Sequence, residues 1–489
     1  MDRSAGAIYD AAVIGGGVVG CAVLRELSRY DLKLLLLERQ SDLGEGVSKG
    51  NSGVIHAGFN VPAGSLKART NVEGLGLIYP LAAALGVPHR MTGKLVVALS
   101  DEDRPRLEAL MAEGERSGVP GLELVDEAAI RRLEPLARGR WALYSARTGI
   151  VSPYELVVAL AESAWLNGAE VALEAPVEAV TFENGVFRLT TPRGTFAARR
   201  VVNSAGLFAD EVARLTGSAD FRVHPYRGEY LITDKDGGFR LGMPVYPVPP
   251  RDDPGLGIHL TPTLEGHVLL GPSAEPVAAK DDLASTREVA ERLKAEAGRL
   301  VPGLERAPFI HAYTGLRPKL VPPESGGRFA DFVVAESERR PGWIDLAGIE
   351  SPGLTAAPAI ARMVADLVGA GMDLRPKPDF EPGLPEKRRF AALGDAERAR
   401  LVAADPEWGE MVCRCEHVPR AEVAAALRNP FGARSLDAVK RRTRCGMGRC
   451  QGGFCTPRLV DILEEEGVPP DRVTKRGGGS RLFYGRLKD

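Results

Sequence analysis

Long apolar stretches are missing from this chain. No run of about 18 apolar residues occurs, and the apolar segment Leu34–Leu37 is far too short to cross a bilayer. A surplus of either charge is missing as well. Sixty-three basic residues face 65 acidic ones for a net charge of −2, which excludes a nucleic-acid surface and an acidic solvating tail as organising features. The N-terminus, MDRSAGAIYDAAVIGGG, lacks a basic segment followed by a long apolar one. No secretory signal is therefore expected, and the expected location is the cytoplasm, with membrane attachment through a partner subunit left open. Internal repeats and low-complexity segments are absent. Cysteine is scarce and unevenly spread: Cys21 stands alone, while Cys413, Cys415, Cys445, Cys450 and Cys455 crowd together. In a reducing compartment such a cluster reads as metal binding and not as a disulfide framework.

What is present is ordinary globular composition, 44% hydrophobic and 26% charged, over 489 residues. That length predicts about two to four domains. The apolar run AIYDAAVI (7–14) suits a buried parallel strand. Glycines, a helical pattern (VVGCAVLRELSRY) and a second apolar run (LKLLLLE) follow it. This is a βαβ opening of a doubly wound sheet. Gly15-x-Gly17-x-x-Gly20 lies at the strand-to-helix junction, and Glu38 ends the next strand, 18 residues beyond Gly20. The first glycine allows a tight turn and the second a close backbone approach to a pyrophosphate. The third lets helix and strand pack, and the carboxylate can accept hydrogen bonds from a ribose. The fingerprint is common to FAD and NAD.

Further along, GAEVALEAPVEAVTFENG (167–184) reads as strands and turns, and VVNSAG (201–206) as a short buried strand. Residues 220–320 are rich in β-branched and aromatic residues broken by Pro and Gly, which predicts a mostly antiparallel sheet. Residues 284–300 are helical, and 343–368 return to strand, turn and helix. The proline-rich, charged stretch 376–410 reads as a linker. Beyond it, Cys413-x-Cys415 and Cys450-x4-Cys455 supply the four thiolates that a [2Fe–2S] cluster needs, with Cys445 five residues before Cys450. A structural zinc site and a set of buried, unligated thiols are the alternatives; zinc knuckles favour C-x2-C spacing over C-x-C. Cys21, on the helix after the glycine turn, reads as a small core residue.

Several separated segments carry a resemblance. GEGVSKGNSGVIHAG (44–58), SLKART (65–70), NSAGLFAD (203–210), YTGLRPKL (313–320) and GIESPGLTAAPAIA (348–361) resemble the D-amino-acid-oxidase/glycerol-3-phosphate-dehydrogenase superfamily of flavoproteins. VCRCE…RRTRCGMGRCQGGFC resembles the bacterioferritin-associated-ferredoxin-like domain at the C-terminus of anaerobic-type glycerol-3-phosphate dehydrogenase large subunits. The resemblance implies FAD and a [2Fe–2S] cluster as cofactors. It implies a fold of class α/β plus α+β: a Rossmann-like FAD-binding domain (1–80, 145–215 and 325–375), a mixed-sheet substrate domain (81–144 and 216–324), and a small helical cysteine-rich domain (411–465). The tail, 466–489, carries the basic, glycine-rich TKRGGGS, which is expected to cap the cluster domain or touch a partner.

The implied cofactor-binding residues are Gly15, Gly17, Gly20, Glu38, Arg39, Ser48, Asn51, Ser52, Val177, Ala205, Gly206, Gly348, Gly353, Leu354 and Thr355. The implied cluster ligands are Cys413, Cys415, Cys450 and Cys455. Cys445 stands where the common pattern is apolar; it reads as a spare thiol or a replacement for Cys450. Arg317 matches an arginine that grips an anionic substrate, and a guanidinium fork suits a carboxylate or phosphate. His56 and His259 are candidate bases or substrate hydrogen-bond donors, since imidazole titrates near neutrality; a core histidine held by hydrogen bonds is the alternative for each. Lys319 and Tyr226 are weaker candidates for pocket lining. The implied activity is oxidation of a small anionic 2-hydroxy compound, glycerol 3-phosphate first. Hydride would pass to FAD, and electrons would leave through the cluster to a partner electron-transfer or flavoprotein subunit. L-2-hydroxyglutarate and amine or opine substrates are the alternatives. An oxidase and a degenerate, non-enzymatic adaptor are the competing classes.

Overall fold

The computed structural model describes residues 8–249, 257–325 and 329–485. Residues 1–7, on which part of the reading of the N-terminus turns, lie outside the described residues.

The apolar runs become the centre of an eight-stranded sheet. Ile8–Ile14 runs parallel to Leu34–Leu37 on one side (Ile14↔Leu37) and to Gly194–Asn203 on the other (Ile14↔Asn203). Glu170–Ala172 and Trp343–Ala347 extend the parallel core outward. All four residues of Leu34–Leu37 are buried, as expected of a strand covered on both faces. Helices Val18–Leu27, Leu66–Ala84, Pro153–Leu166 and Gly353–Gly369 supply one cover, and their apolar sides share a single core. The strand expected only around VVN is ten residues long. Its first part alternates against an antiparallel neighbour, and only its last three residues are buried on both faces. The alternating part carries a weaker apolar signal, which is why the strand reads short.

A second, nine-stranded sheet is mostly antiparallel. Its long pair, His224–Thr233 with Phe309–Lys319, sets Tyr226 opposite Arg317. Lys94–Ala98, Leu122–Asp126 and Trp141–Ser145 return to this sheet from earlier in the chain. Its strand Lys94–Ala98 also contributes Val96 and Ala98 to the core of the first sheet's helices. The two sheets therefore share apolar packing.

The cysteine module is built from a short ladder (Met411–Cys413 with Val418–Pro419) and helices Arg420–Leu427, Leu436–Thr443 and Cys455–Glu465. It has its own core of Val423, Leu427, Val439, Leu459, Ile462 and Leu463. The stretch 376–410 differs from a free linker. It contains the helix Asp395–Ala404 and is bonded to the first domain. Arg25 donates to the Pro382 carbonyl at 2.7 Å, Asn167 to the Glu381 carbonyl at 2.9 Å, and Arg389 pairs with Glu155. Proline-rich backbone lacks donors but keeps its carbonyls, and side chains of neighbouring helices take them up.

Candidate active site

A cavity of about 920 Å³ opens at the carboxyl ends of the parallel strands and runs towards the second sheet. This is the crevice where open α/β sheets bind ligands. At its first end the glycine turn is shaped by contacts that exclude side chains. Gly15 has φ +110°, and a Cβ there would lie 2.4 Å from the Ser204 carbonyl oxygen; one on Gly20 would lie 2.0 Å from that of Gly15. Glu38 is buried beside the turn. It accepts hydrogen bonds from the Gly16 N–H at 2.7 Å and the Gln40 N–H at 2.8 Å. Burial outweighs these bonds and holds its carboxyl above the ordinary range. The Ser48 hydroxyl accepts from the Val18 N–H at 2.9 Å, at the start of the helix.

Most of the expected cofactor residues lie on this wall: Gly15, Gly17, Glu38, Arg39, Ser48, Asn51, Ser52, Val177, Ala205, Gly206, Gly353 and Leu354. Gly20, Gly348 and Thr355 are not on it. Gly20 serves packing, and Gly348 (φ +68°) faces Leu320. Thr355 is fully buried, and its hydroxyl accepts from the His56 N–H at 2.9 Å.

The loop around Ser48–Gly53 meets the strand that carries Arg317 without room for a methyl group. A Cβ on Gly315 would lie 1.9 Å from the Gly50 carbonyl oxygen. Asn51 braces the loop by donating to the Ser48 carbonyl at 2.7 Å, and Tyr313 donates to the Asn51 carbonyl at 3.0 Å. His56, His259, Arg317 and Lys319 all line the same cavity. Arg317 donates to the Ser273 carbonyl at 3.1 Å. His259 is stacked on Tyr246, ring centres 3.4 Å apart. His56 approaches Ser351 Oγ with its Nε2 at 3.4 Å. Burial, with the charge of Lys94 added, lowers its imidazole to about 3, so it is neutral at physiological pH. Tyr226 lies behind the wall, under the Lys319 ammonium at 4.7 Å.

Lys94 is the residue that the sequence reading missed. It is 1% exposed, lies over the Phe59 and Tyr246 rings at 4.3 and 4.6 Å, and is part of the cavity wall. Among the described residues it meets no carboxylate and no hydrogen-bond acceptor. Burial lowers its ammonium to about 7. A lysine opening the otherwise apolar strand KLVVA was the available signal. Lys67, also on the wall, differs: Glu350 neutralises it at 2.9 Å.

In the C-terminal module, Cys415 Sγ lies 3.8 Å from Cys450 Sγ. Hydrogen bonds from Cys445 and then Cys455 pull the Cys413 thiol well below its ordinary value, the direction that a thiolate ligand requires. Cys415 and Cys450 thus pair by distance, while Cys413, Cys445 and Cys455 share the buried core of the module. No three His, Cys, Asp or Glu side chains among the described residues close on a single ion. Two groups of thiols suit a binuclear cluster, whose two irons divide four thiolates between them. Cys21 is fully buried in the core.

A family model described as FAD dependent oxidoreductase matches residues 10–367. The chain belongs to that family. Residues 411–465 match a second model, BFD-like [2Fe-2S] binding domain. A glycerol 3-phosphate dehydrogenase of Caloramator mitchellensis is 36% identical over 485 residues, covering 98% of this chain and 99% of that one. The mitochondrial L-2-hydroxyglutarate dehydrogenase of Caenorhabditis elegans is 38% identical over 274 residues, 54% of this chain and 63% of that protein. Among solved structures, dithionite-reduced L-alpha-glycerophosphate oxidase from Mycoplasma pneumoniae with FAD bound superposes with TM-score 0.72 at 28% identity, covering 78% of this chain and all of that one. This flavoprotein is an FAD-dependent oxidoreductase carrying a [2Fe–2S] domain. The glycine cradle, the Glu38 carboxylate and the helix start at Val18 fit an adenine dinucleotide, and the thiol groups fit the cluster. No helix among the described residues is long and apolar enough to cross a membrane.

Proposed function

We propose that this protein oxidises glycerol 3-phosphate at its secondary hydroxyl and passes the electrons, through its own iron–sulfur domain, to a partner electron-transfer or flavoprotein subunit. The observation that carries this reading is that similarity to the Caloramator protein continues through the cysteine module, at 98% of the chain. When bound, FAD supplies a two-electron acceptor and the [2Fe–2S] cluster a one-electron relay.

The chain's own residues provide the rest. Lys94 is a desolvated cation with no carboxylate partner among the described residues, and an anionic substrate group is the partner its position calls for. Arg317 adds a guanidinium fork on the same cavity. The neutral His56 accepts the hydroxyl proton at Nε2 as the substrate carbon is oxidised to a ketone; burial first, and the charge of Lys94 second, keep it unprotonated until then. His259, held flat against Tyr246, presents a ring edge to the substrate. Cys413, Cys415, Cys450 and Cys455 are the proposed cluster ligands, with Cys445 a fifth sulfur beside Cys413.

L-2-hydroxyglutarate is the second reading. It is supported by 38% identity to its dehydrogenase over 274 residues and by two cations, Lys94 and Arg317, for two carboxylates. Anaerobic mixing with glycerol 3-phosphate, L-2-hydroxyglutarate, L-lactate, proline and opines distinguishes these readings. Glycerol 3-phosphate is expected to bleach the visible flavin band fastest; fastest bleaching by any other compound overturns the assignment. Prompt reoxidation by oxygen with stoichiometric peroxide would make the protein an oxidase.

A further inference from the structure

The loop from Glu38 to Asn51 is held from two directions. On one side it belongs to the dinucleotide cradle: the Leu43 side chain lies against Gly16, the Gly44 N–H donates to the Gly16 carbonyl at 2.9 Å, and Ser48 caps Val18. On the other side the iron–sulfur domain grips it. Arg442 makes a two-pronged contact with Asp42 (Nη1 to Oδ2 2.6 Å, Nη2 to Oδ1 2.8 Å), and Arg441 reaches Asp42 at 3.1 Å and also Glu45. Asp42 is completely buried, and both arginine side chains are 6% exposed. These are docking contacts with water excluded.

The tail then closes on the same loop. TKRGGGS forms a tight hairpin in which Thr474 bridges Arg481 and the Lys475 N–H donates to the Ser480 carbonyl at 2.8 Å. Gly477 and Gly478 take φ +83° and +54° at its tip. That tip rests on Ser41, three residues past Glu38. The Ser41 hydroxyl donates to the Arg476 carbonyl at 3.0 Å, and a Cβ on Gly477 would lie 2.0 Å from Ser41 Oγ. Arg476, Gly477 and Gly478 stand on the wall of the cavity that also holds Gly15, Gly17, Glu38, Arg39 and Val177. The Arg476 guanidinium has no ion-pair or hydrogen-bond partner among the described residues.

We infer that the C-terminal hairpin completes the cofactor site: residues 476–478 close over the adenosine half of bound FAD, with Arg476 facing its anionic side, so that FAD binding and docking of the iron–sulfur domain stabilise each other. The dinucleotide contacts one surface of the 38–51 loop while Arg441 and Arg442 hold the other. Anything that orders the loop for one partner orders it for the other, and the coupling is reciprocal. This inference rests on the family's FAD and is independent of which substrate is oxidised.

The test uses the full-length chain with its cluster intact, stripped of FAD and titrated back while flavin fluorescence quenching reports Kd. Arg476→Ala and Gly477→Val are expected to raise the Kd about tenfold, within the usual range of coupling factors, while the cluster's visible absorption and EPR signal stay as in the wild type. On the unmodified chain, adding FAD is expected to slow amide exchange in both 38–45 and 474–482. A Kd within about twofold of wild type in both variants overturns the inference, as does FAD-dependent protection confined to the first segment. The exchange measurement needs no variant, so misfolding of a substituted chain does not leave the question open.

Discussion

Two joints hold this molecule together, and they are built from different materials. The flavin-binding and substrate sheets meet through a continuous apolar core to which Val96, Ala98, Leu143 and Phe59 all belong. The iron–sulfur domain has a core of its own, lends only Ala433 and Ala438 to the buried core of the flavoprotein body, and is otherwise tied to it by charge. Besides the clamp on Asp42, Lys235 pairs with Glu416 at 3.1 Å, Arg444 with Glu265 at 3.0 Å, and Arg449 with Asp234 at 2.5 Å. Each joint buries cations, and their fates differ. Lys94, in the first, meets no carboxylate among the described residues; Arg441 and Arg442, in the second, have theirs. A buried charge that the protein leaves unpaired marks a place for a ligand, while a buried charge that it pairs marks a place where two bodies dock.

The largest expected effect tests whether the second body depends on its cluster. Cys415→Ser, which removes one member of the 3.8 Å pair, is expected to abolish the [2Fe–2S] EPR signal, whereas Cys445→Ala is expected to keep it. Loss of the signal in the Cys445 variant would move that residue into the ligand set.

At the first joint, Lys94→Met keeps the volume and removes the charge. Loss of a desolvated cation from an anion site is expected to lower kcat/KM by roughly 100-fold, or ~3 kcal/mol. The pH dependence carries the sign. With its ammonium lowered to about 7, the free enzyme loses the charge as pH rises through that value, so wild-type kcat/KM falls on the alkaline side. The variant lacks that limb. Stability moves the other way. The folded state binds fewer protons at Lys94 than the unfolded chain between about pH 7 and the ordinary lysine value, so over that window wild type gains stability with rising pH and Lys94→Met does not. Thermal melts across the window check this.

Gly315→Ala breaks the first joint at its narrowest point, where the new methyl group meets the Gly50 carbonyl. A destabilisation of ~2–3 kcal/mol is expected, with FAD released more readily in dilution experiments.

Residues whose role lies in their own local backbone were legible in the sequence. The strand, the glycine turn and Glu38 follow one another within about 30 residues, and no distant contact is needed to read them. The cysteine spacing was legible for the same reason. Lys94 was not, because its meaning comes from what is absent around it. A buried ammonium becomes visible only when Phe59 and Tyr246 have folded over it. The 376–410 stretch read as a linker because proline suppresses regular structure, although its carbonyls are bound by Arg25 and Asn167 from far upstream. The tail was legible as basic and glycine-rich, but not its seat on Ser41, which is 436 residues distant from Gly477 along the chain.

The charged joint carries a contrast of its own, and one of its two variants has the smallest expected effect. Arg442 and Arg449 both pair with aspartates of the flavoprotein body, but Arg442 is 6% exposed and Arg449 61%. At Asp42 burial pushes the carboxyl upward and the two arginines more than reverse it, so it is held below the ordinary range. Its contribution to docking is therefore present at neutral pH and is lost only as pH falls through its lowered value. Arg442→Ala leaves that carboxylate buried with one partner fewer and is expected to cost about 3 kcal/mol in thermal or denaturant unfolding of the docked domain. Arg449→Ala removes an ion pair that water and salt already screen, and the same melt is expected not to move. Equal shifts in the two variants would mean that burial does not decide which charges hold this joint.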